Sequence, residues 1–500
     1  MKAKEVLSKQ FIKEFNIDED RELPIEYIRA QELLVSDRID VLSKLIWLET
    51  FVGDHGSREY ARRLYCNTLG ALTNYSYIEA GAEKSKNSIS SYEKVFHELC
   101  ESLKGGFDIN QSVIPIGENK GILDGAHRLA IALYYNLEIP ITRIEGAWPD
   151  NGTGFLRGKS MDEDLIEQLV IEYCSRKSDV YVLCVWPKAL SSNNYDQIEK
   201  IINKRSKVIY KKELQLDKKA LFNFVHQLYR DMDWIGNPQD GFAGTMLKVD
   251  QVCGSDSGKL EVYFVENITH DAVLQLKEDI RVCLGMDKDS IHSTDTQQEC
   301  KRVANILLNP NSLHLIRKGD PTRYESFQDL LSNFKKAVAE KNLDINDFVV
   351  DSSAVLAVYG LREANDFDYI SACNIELCGD KIENHNNSLT YHRKSIEELL
   401  YNPKYYFYYD GIKFVCLDLV REFKERRKYE SDVNDLGLIC EFDSDTQNIR
   451  EFISAIKIDS RRKIILLNSK FHSFVDKHPY LHSILRRIKR MIFGFDDSRG

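Results

Sequence analysis

The densest group of chemically capable residues in this chain is the segment Asp124-Gly125-Ala126-His127-Arg128. A short apolar stretch precedes it and an apolar-periodic run follows, so the pattern predicts a strand, a tight turn and a helix. Gly125 allows the backbone to approach a ligand closely. His127 and Arg128 fall in the first helical turn, where free N–H groups and the helix dipole favour an anion. The segment therefore predicts a turn that binds phosphate or a nucleotide.

A plainer interpretation of the same residues also stays open. Asp124 is a good residue to cap a helix, and Arg128 could lie in solvent. Short motifs of this kind occur often by chance. The segment alone does not decide between an ordinary strand–turn–helix and a ligand site.

The segment resembles the Asp-Gly-X-His-Arg box of the ParB/sulfiredoxin-like superfamily. Predicted strands at 112–116 and 139–144 flank it in the order of that family, and the resemblance covers roughly residues 20–147. A helical insertion over about residues 39–103 departs from the compact start of the family. Members use this fold as a nucleotide-binding switch on DNA, as a sulfinic-acid reductase or as a small-molecule kinase.

The resemblance also implies roles for individual residues. Ala126 stands where the reductases carry their cysteine, which argues against reductase chemistry. Kinase-like members use an upstream carboxylate as general base, and Glu49 and Asp40 are the candidates, with Glu49 and His127 expected to be catalytic. The expected nucleotide-binding residues are Asp124, Gly125, His127 and Arg128.

Composition limits the possible classes of protein. The chain has 500 residues, 43% of them hydrophobic, which predicts two to four globular domains. Its net charge of −10 is a poor match to a dedicated nucleic-acid-binding protein. The 11 cysteines show no zinc-like spacing and suit a reducing cytoplasm. No apolar signal core begins the chain, and no apolar run is long enough to span a bilayer.

Hydrophobic patterning predicts a multidomain α/β (α+β) protein. We expect a nucleotide-binding unit over residues 1–150 and a second α/β unit, of unassigned role, over 151–335. A third unit is expected over 336–470, followed by a basic amphipathic helix over 471–500. Within the second unit, a helix is expected to begin around residues 291–298, with Asp295 and Gln298 as its capping pair.

Two aspartates in the third unit form the second chemical motif. Asp366 and Asp368 are one residue apart on a predicted strand, so both side chains should point to the same face. Adjacent carboxylates repel each other unless a cation lies between them. Mg²⁺ prefers such oxygen ligands and completes its shell with phosphates, so this pair predicts a magnesium site. The alternative is a polar edge strand.

This region resembles the nucleotidyltransferase fold of the polymerase-beta type over roughly 100–120 residues. In that family a small hydroxyl residue at a helix start precedes the Asp-X-Asp pair, which matches Ser352 and Ser353, and Arg362 matches an arginine found just before the pair. The resemblance implies that these three residues hold the nucleotide and that Asp366 and Asp368 bind the metal. The family usually has glycine where Asp351 and Ser352 stand. Glu376 and Asp418 are candidates for its third carboxylate, and Lys424, Asp432 and Asp435 for its basic and acidic tail.

The C-terminal tail is predicted to be a basic amphipathic helix over 481–495. Apolar residues recur at helical spacing, and arginine and lysine occupy the other positions. Such a helix can lie on an anionic membrane or pack on the core of the protein itself.

Together these motifs predict Mg²⁺-dependent phosphoryl or nucleotidyl transfer from ATP or another NTP to a small hydroxyl compound or sugar. Chains with this arrangement resemble proteins of bacterial surface-glycan assembly, which implies a cytoplasmic protein, peripheral to the inner membrane if the tail binds lipid. One alternative is a nucleotide-gated, ParB-like DNA-binding protein. A third possibility is a toxin–antitoxin or defence nucleotidyltransferase that modifies RNA or protein. Nucleic acid is the less favoured partner because the chain is acidic, and the oligomeric state is not predicted.

Overall fold

The computed structural model describes residues 1–53, 55–78, 86–109, 112–192, 194–254, 257–373, 376–377, 379–443 and 460–471. Over these ranges the protein is a mixed α/β structure with three separate sheets. The expectation of several α/β units is thereby confirmed. None of the helices in these ranges is both long and apolar enough to cross a membrane. The predicted helix at 481–495 lies outside the described residues.

The first sheet has three strands in the order β1-β3-β2. β3 runs antiparallel to β1 and parallel to β2. The strands are β1 Glu26–Arg29, β2 Ile114–Ile116 and β3 Glu138–Arg143. The accompanying helices are α1 Ala3–Val6, α2 Lys9–Glu14, α3 Val41–Phe51, α4 Arg58–Leu72, α5 Ile89–Leu103 and α6 Ala126–Tyr134.

The strands predicted at 112–116 and 139–144 are present as β2 and β3. The strand expected immediately before Asp124 is reduced to a single bridge between Ile116 and Ile122. The physical reason is a tight reversal in which the Gly117 N–H donates to the Gly121 carbonyl at 2.8 Å, so the chain turns back before a second strand can extend.

The second sheet is fully antiparallel, in the order β5-β6-β4-β7. Its strands are β4 Tyr181–Val185, β5 Lys207–Asp217, β6 Ser257–Glu266 and β7 Ile291–Ser293. The helices of this region are α7 Thr153–Gly158, α8 Glu163–Arg176, α9 Pro187–Leu190, α10 Asp196–Arg205, α11 Lys218–Leu228, α12 Ala243–Cys253, α13 His270–Leu284, α14 Gln297–Leu308 and α15 Pro310–Lys318.

The helix predicted to begin around residues 291–298 begins later than expected. Residues 291–293 instead form β7, because they pair with the apolar strand β4. The helix α14 is capped by Thr296, whose Oγ1 accepts the Glu299 N–H at 3.1 Å. The expected capping pair of Asp295 and Gln298 is therefore wrong by one position.

The third sheet has five strands in the order β10-β9-β8-β12-β11. Its strands are β8 Phe348–Val350, β9 Phe367–Ser371, β10 Ile382–Asn384, β11 Tyr406–Tyr409 and β12 Ile412–Val415. The pairs β10–β9 and β8–β12 are parallel, and β9–β8 and β12–β11 are antiparallel. The helices here are α16 Glu325–Glu340, α17 Ser353–Val358, α18 Leu389–His392, α19 Ile396–Tyr401, α20 Leu417–Arg427, α21 Glu430–Phe442 and α22, residues 460–471.

The apolar side chains form two large buried clusters. One runs from Ala30 to Ile316 and joins the helices around the first sheet to one face of the second. The other runs from Leu315 to Ile439 and encloses the third sheet. The helix α16 crosses the predicted boundary at residue 335 and packs its apolar face into the second cluster. The first two predicted units thus share a core.

Candidate functional site

A cavity of about 1380 Å³ opens beside the Asp124–Arg128 turn. One wall is apolar and comes from α2 and α5, with Phe11, Phe96 and Leu103 among its residues. The polar wall carries the turn itself and the start of α3. A cavity of this size, with one apolar wall and a few convergent polar groups, is typical of a small-molecule site.

Gly125 shapes the turn at the cavity. Its φ of 90° is left-handed, a conformation that glycine adopts without strain. The Gly125 N–H donates to Asp124 Oδ1 at 2.6 Å, whereas α6 begins with no side-chain cap. The capping role considered for Asp124 is therefore not seen, and the first N–H groups of α6 lack a side-chain acceptor at the cap position.

Arg128 stabilises the turn from inside. Its Nη1 donates to Ser112 Oγ at 3.1 Å and to the Val113 carbonyl at 3.2 Å, and its Nη2 reaches Asp124 Oδ2 at 3.1 Å. A Cβ at Gly125 would lie 2.8 Å from the Arg128 guanidinium, so glycine is also required for space. Arg128 lines the cavity, but it holds the loop to the start of β2 rather than lying in solvent.

His127 faces the aromatic wall of the cavity. Its Nε2 is hydrogen-bonded to Tyr65 Oη at 2.9 Å, and its ring meets that of Phe96 edge-on with centroids 4.6 Å apart. Burial lowers the pKa of His127 well below its usual value, and the charges of Lys44 and Lys86 lower it further. The imidazole is therefore neutral at pH 7, and its ring is held in place by two aromatic neighbours.

A buried ionic cluster, Arg38–Asp40–Lys44, lies on the polar wall. Asp40 Oδ1 accepts Arg38 Nε at 2.8 Å, and its Oδ2 accepts Lys44 Nζ at 3.0 Å. Arg38, Asp40 and Lys44 are only 6%, 0% and 1% exposed. Burial alone would raise the pKa of Asp40, but the two cations outweigh it and hold that pKa well below its usual range. The cluster carries a net positive charge at the cavity.

The sequence pattern did not indicate the two cations of this cluster, Arg38 and Lys44. Glu49 was the expected catalytic carboxylate. Glu49 instead lines a separate, smaller pocket with Arg176. Its oxygens accept Arg176 Nη1 and Nη2 at 2.9 and 3.0 Å. The structure therefore does not bring Glu49 to His127, and Asp40 is the carboxylate that lies in the large cavity.

The second group of predicted residues lies at the start of β9. Asp368 is on the strand and is 8% exposed, and Asp366 directly precedes the strand. Ser353 Oγ donates to Asp366 Oδ1 at 2.8 Å. Ser353 and Asp366 are thus in contact, and Asp368 follows two residues later on β9, whereas Asp366 was expected on the strand itself.

The carboxyl group of Asp368 is buried close to other carboxylates. Burial raises the pKa of Asp368 to about 6, and the charges of Asp366, Asp351 and Glu383 raise it while that of His385 opposes them. Glu383 pairs with Asp368 in the parallel register of β10 and β9. Glu383 and Asp351, rather than Glu376 or Asp418, are thus the acidic residues whose charges act on Asp368.

A buried group of one aspartate and two histidines, Asp351–His385–His392, lies next to this site. Asp351 Oδ2 is hydrogen-bonded to His385 Nδ1 at 2.9 Å and to His392 Nε2 at 2.8 Å. Burial lowers the pKa of His385, but Asp351 outweighs it and raises that pKa overall. The sequence analysis missed both histidines because they are 34 and 41 residues away from Asp351 in the chain.

Arg362 does not lie free for a phosphate. Its Nε and Nη2 bind the carboxylate of Asp435 at 2.6 and 2.9 Å. Asp435 also accepts Lys424 Nζ at 2.7 Å, and Lys424 lies 3.3 Å from Asp432. The predicted basic and acidic residues are thus adjacent, and they neutralise one another in a mostly buried network that joins α20 and α21 to the loop before β9.

Ser352 has an unusual backbone conformation. Its φ of 59° and ψ of −123° lie outside the region that L-residues adopt without strain. We expect Ser352→Gly to raise the free energy of unfolding by about 1 kcal/mol, because glycine relieves that strain. Chemical denaturation measures this. Ser353→Gly is the matched control and should lower the free energy of unfolding, since it loses the hydrogen bond to Asp366. Equal losses of stability in both variants would contradict backbone strain at Ser352.

The Asp366–Asp368 pair fits a magnesium ion in part. Two carboxylates are a usual protein contribution to a Mg²⁺ site that phosphates complete, and burial beside other carboxylates raises the pKa of Asp368. Over the described residues, no group of three or more His, Cys, Asp or Glu side chains is arranged to hold a metal ion. A metal here would therefore depend on a phosphorylated ligand.

Comparisons with protein-family models, with curated proteins and with solved structures find no match to this chain.

Proposed function

We propose that the chain binds a nucleotide and, with Mg²⁺, transfers a phosphoryl or nucleotidyl group to a small hydroxyl compound or sugar. The observation that carries this is the cavity of about 1380 Å³ beside the Gly125 turn. It places the start of α6, the net-positive Arg38–Asp40–Lys44 cluster and the neutral His127 around one volume. Cations and the backbone N–H donors at a helix start are the groups that recognise phosphate.

In this proposal the residues of the cavity mainly hold and orient the phosphates. Lys44 supplies charge from a side chain fixed by Asp40, and the first N–H groups of α6 supply hydrogen bonds. The neutral imidazole of His127, fixed by Tyr65, can bind or move a proton at Nε2 or Nδ1. The apolar wall would receive the base. Positioning of this kind accounts for most of the catalysis of phosphoryl transfer.

Asp366 and Asp368 would hold Mg²⁺ against a phosphorylated ligand. The ion supplies charge neutralisation of the phosphates when bound. Ser353 orients Asp366, and β9 fixes Asp368. We propose that this chemistry takes place in the cytoplasm, in bacterial surface-glycan assembly, as the resemblance implies. The RNA- or protein-modifying alternative differs from this proposal in the acceptor, whereas the ParB-like alternative is a nucleotide-gated DNA-binding protein.

The proposal is tested by binding and turnover of each NTP with Mg²⁺. We expect a thermal shift with at least one NTP, equivalent to about 2.7 kcal/mol at a hundredfold excess over Kd. His127→Ala should abolish that shift, whereas His97→Ala should keep it, because His97 is an exposed histidine that does not line the cavity. Release of nucleoside diphosphate, with the phosphoryl group passed to the acceptor, that His127→Ala removes would assign a kinase-like reaction to this cavity.

Pyrophosphate release tests the second site. Asp366→Asn should reduce it on the order of 100-fold, because the variant removes a ligand of the ion that neutralises the transferred charge. Asp418→Asn is the control, since Asp418 is 81% exposed and paired with Arg421. Transfer to RNA or protein rather than to a small hydroxyl compound would favour the defence-type alternative. No shift and no turnover with any NTP would overturn the proposed function.

A further inference from the structure

The helix α22 lies against the N-terminal cavity although it is more than 300 residues further along the chain. Arg462 anchors it: its Nε donates to the Ser160 carbonyl at 2.8 Å, and its Nη2 donates to Asp162 Oδ1 at 3.0 Å and Asn67 Oδ1 at 3.3 Å. The guanidinium also lies 5.2 Å from the centre of the Tyr75 ring. These four contacts fix the helix, at Arg462, to the rim formed by α4 and the α7–α8 turn.

The burial pattern of α22 shows which face meets the protein. Arg462, Ile465, Leu466 and Ser469 are partly buried, while the residues between them are exposed. Their spacing of three, four and seven residues is that of one helical face. The helix thus lies along the protein surface, and Ser469 and Lys470 form part of the lining of the cavity.

Lys470 adds a cation to the side of the cavity open to solvent. Lys44 and Lys86 also line this cavity, and both are close enough to His127 to lower its pKa. The carboxylates of Glu14 and Asp108 line it as well, so the lining is not uniformly basic. An exposed lysine on a long flexible stem can reach a bound anion without the cost of burying its own charge beforehand.

We propose that Lys470 is a ligand-binding residue of the N-terminal cavity and contacts the phosphates of the bound nucleotide, so that the site is completed by the C-terminal helix α22. This inference rests on the proposed function. Lys44 and the start of α6 hold the phosphates from the inner wall, and Lys470 holds them from the mouth. By linkage, a ligand that contacts Lys470 also stabilises the packing of α22 against the rim.

Binding of Mg·ATP and of inorganic tripolyphosphate, measured by calorimetry, tests this assignment. Lys470→Ala should raise Kd about tenfold, the usual effect of losing one charge-assisted hydrogen bond. Lys470→Arg should keep most of the affinity. Arg461→Ala removes an exposed cation from the same helix that does not line the cavity, so it should bind as the wild type does. Tripolyphosphate shows whether the contact is to phosphate rather than to the base.

Hydrogen exchange gives a measurement that would show no ligand-dependent change through Lys470 if this residue had only a structural role. Amides of residues 460–471 should exchange more slowly in the wild type when ligand is added, and the slowing should be lost in Lys470→Ala, whose exchange without ligand stays unchanged. If the wild type binds ligand and Lys470→Ala binds equally well, the role of Lys470 is overturned and the proposed function stands. If the wild type binds neither ligand, both fail together.

Discussion

Asp40→Asn is expected to lower the free energy of unfolding by about 3–5 kcal/mol at pH 7. Asp40 is fully buried between Arg38 and Lys44, and removing its charge leaves two buried cations without their counter-ion. The Arg38 guanidinium also donates to the Ile122 carbonyl, so the loss extends to the loop before the Gly125 turn. Denaturant unfolding followed by circular dichroism measures the change.

Asp20→Asn is a matched control for this variant. Asp20 also pairs with two cations, Lys2 and Lys4, but its side chain is 62% exposed. Solvent screens such a pair, so we expect little change in stability. A loss for Asp40→Asn no larger than that for Asp20→Asn would contradict the buried cluster.

The pH dependence of this variant has a defined sign. Asp40 has a folded-state pKa below its unfolded value of 3.8, so its contribution to stability is present above about pH 4. That contribution is lost as the pH falls through the lowered folded-state pKa. The difference between wild type and Asp40→Asn should therefore be full and constant between pH 5 and 7 and should shrink only in strong acid.

Asp368→Asn is expected to stabilise the protein at pH 7 in the absence of ligand. The folded-state pKa of Asp368 is about 6, raised chiefly by burial, against 3.8 for the unfolded chain. The folded protein therefore holds this proton more tightly, and the wild type loses stability as the pH rises from about 4 to 6. A shift of this size corresponds to about 2–3 kcal/mol, which the asparagine variant does not lose.

Unfolding free energies of both proteins, measured from pH 4 to 7, test this expectation. The two curves should meet near pH 4 and diverge until about pH 6, with the variant above the wild type. Asp368 raises the pKa of His385 and His385 lowers that of Asp368, so the difference between the two proteins includes this mutual effect. A variant that is less stable than the wild type at pH 7 would contradict the raised pKa.

Mg²⁺ with a nucleotide should narrow this difference at pH 7. If Asp368 holds the ion, the wild type gains stability from this site that Asp368→Asn does not gain, while nucleotide binding in the N-terminal cavity stabilises both proteins. Stability without ligand thus reports on the burial of the Asp368 carboxylate in the fold. Stability with ligand reports on the proposed binding of Mg²⁺ by the same carboxylate.

Local sequence was sufficient where a backbone conformation depends on neighbouring residues. Gly125 and the apolar spacing after it predicted the turn and α6, and both are present. The alternation around Asp366 and Asp368 predicted β9, which begins one residue after Asp366. In each case the signal is a residue type with a restricted conformation or a period that matches one element.

The choice between Asp40 and Glu49 required the tertiary structure. Both carboxylates belong to the region of α3, a helix almost entirely buried, so no polar stripe marks the face that meets the cavity. Packing of α3 against α6 and α4 turns Asp40 to the cavity and leaves Glu49 to pair with Arg176, which is 127 residues away. Because α3 is buried on all sides, its sequence has no amphipathic pattern from which the face that meets the cavity could be predicted.

The sequence by itself determined the turn at Gly125, the strand that carries Asp368 and the mixed α/β class, because each depends on short-range conformational preference. Which charged side chains form ion pairs depended instead on the tertiary structure. Arg362 pairs with Asp435 across 73 residues, and Lys470 reaches a cavity built from the first 130 residues. Ion pairs and cavity walls depend on how separate elements pack, and no local period in the sequence records that packing.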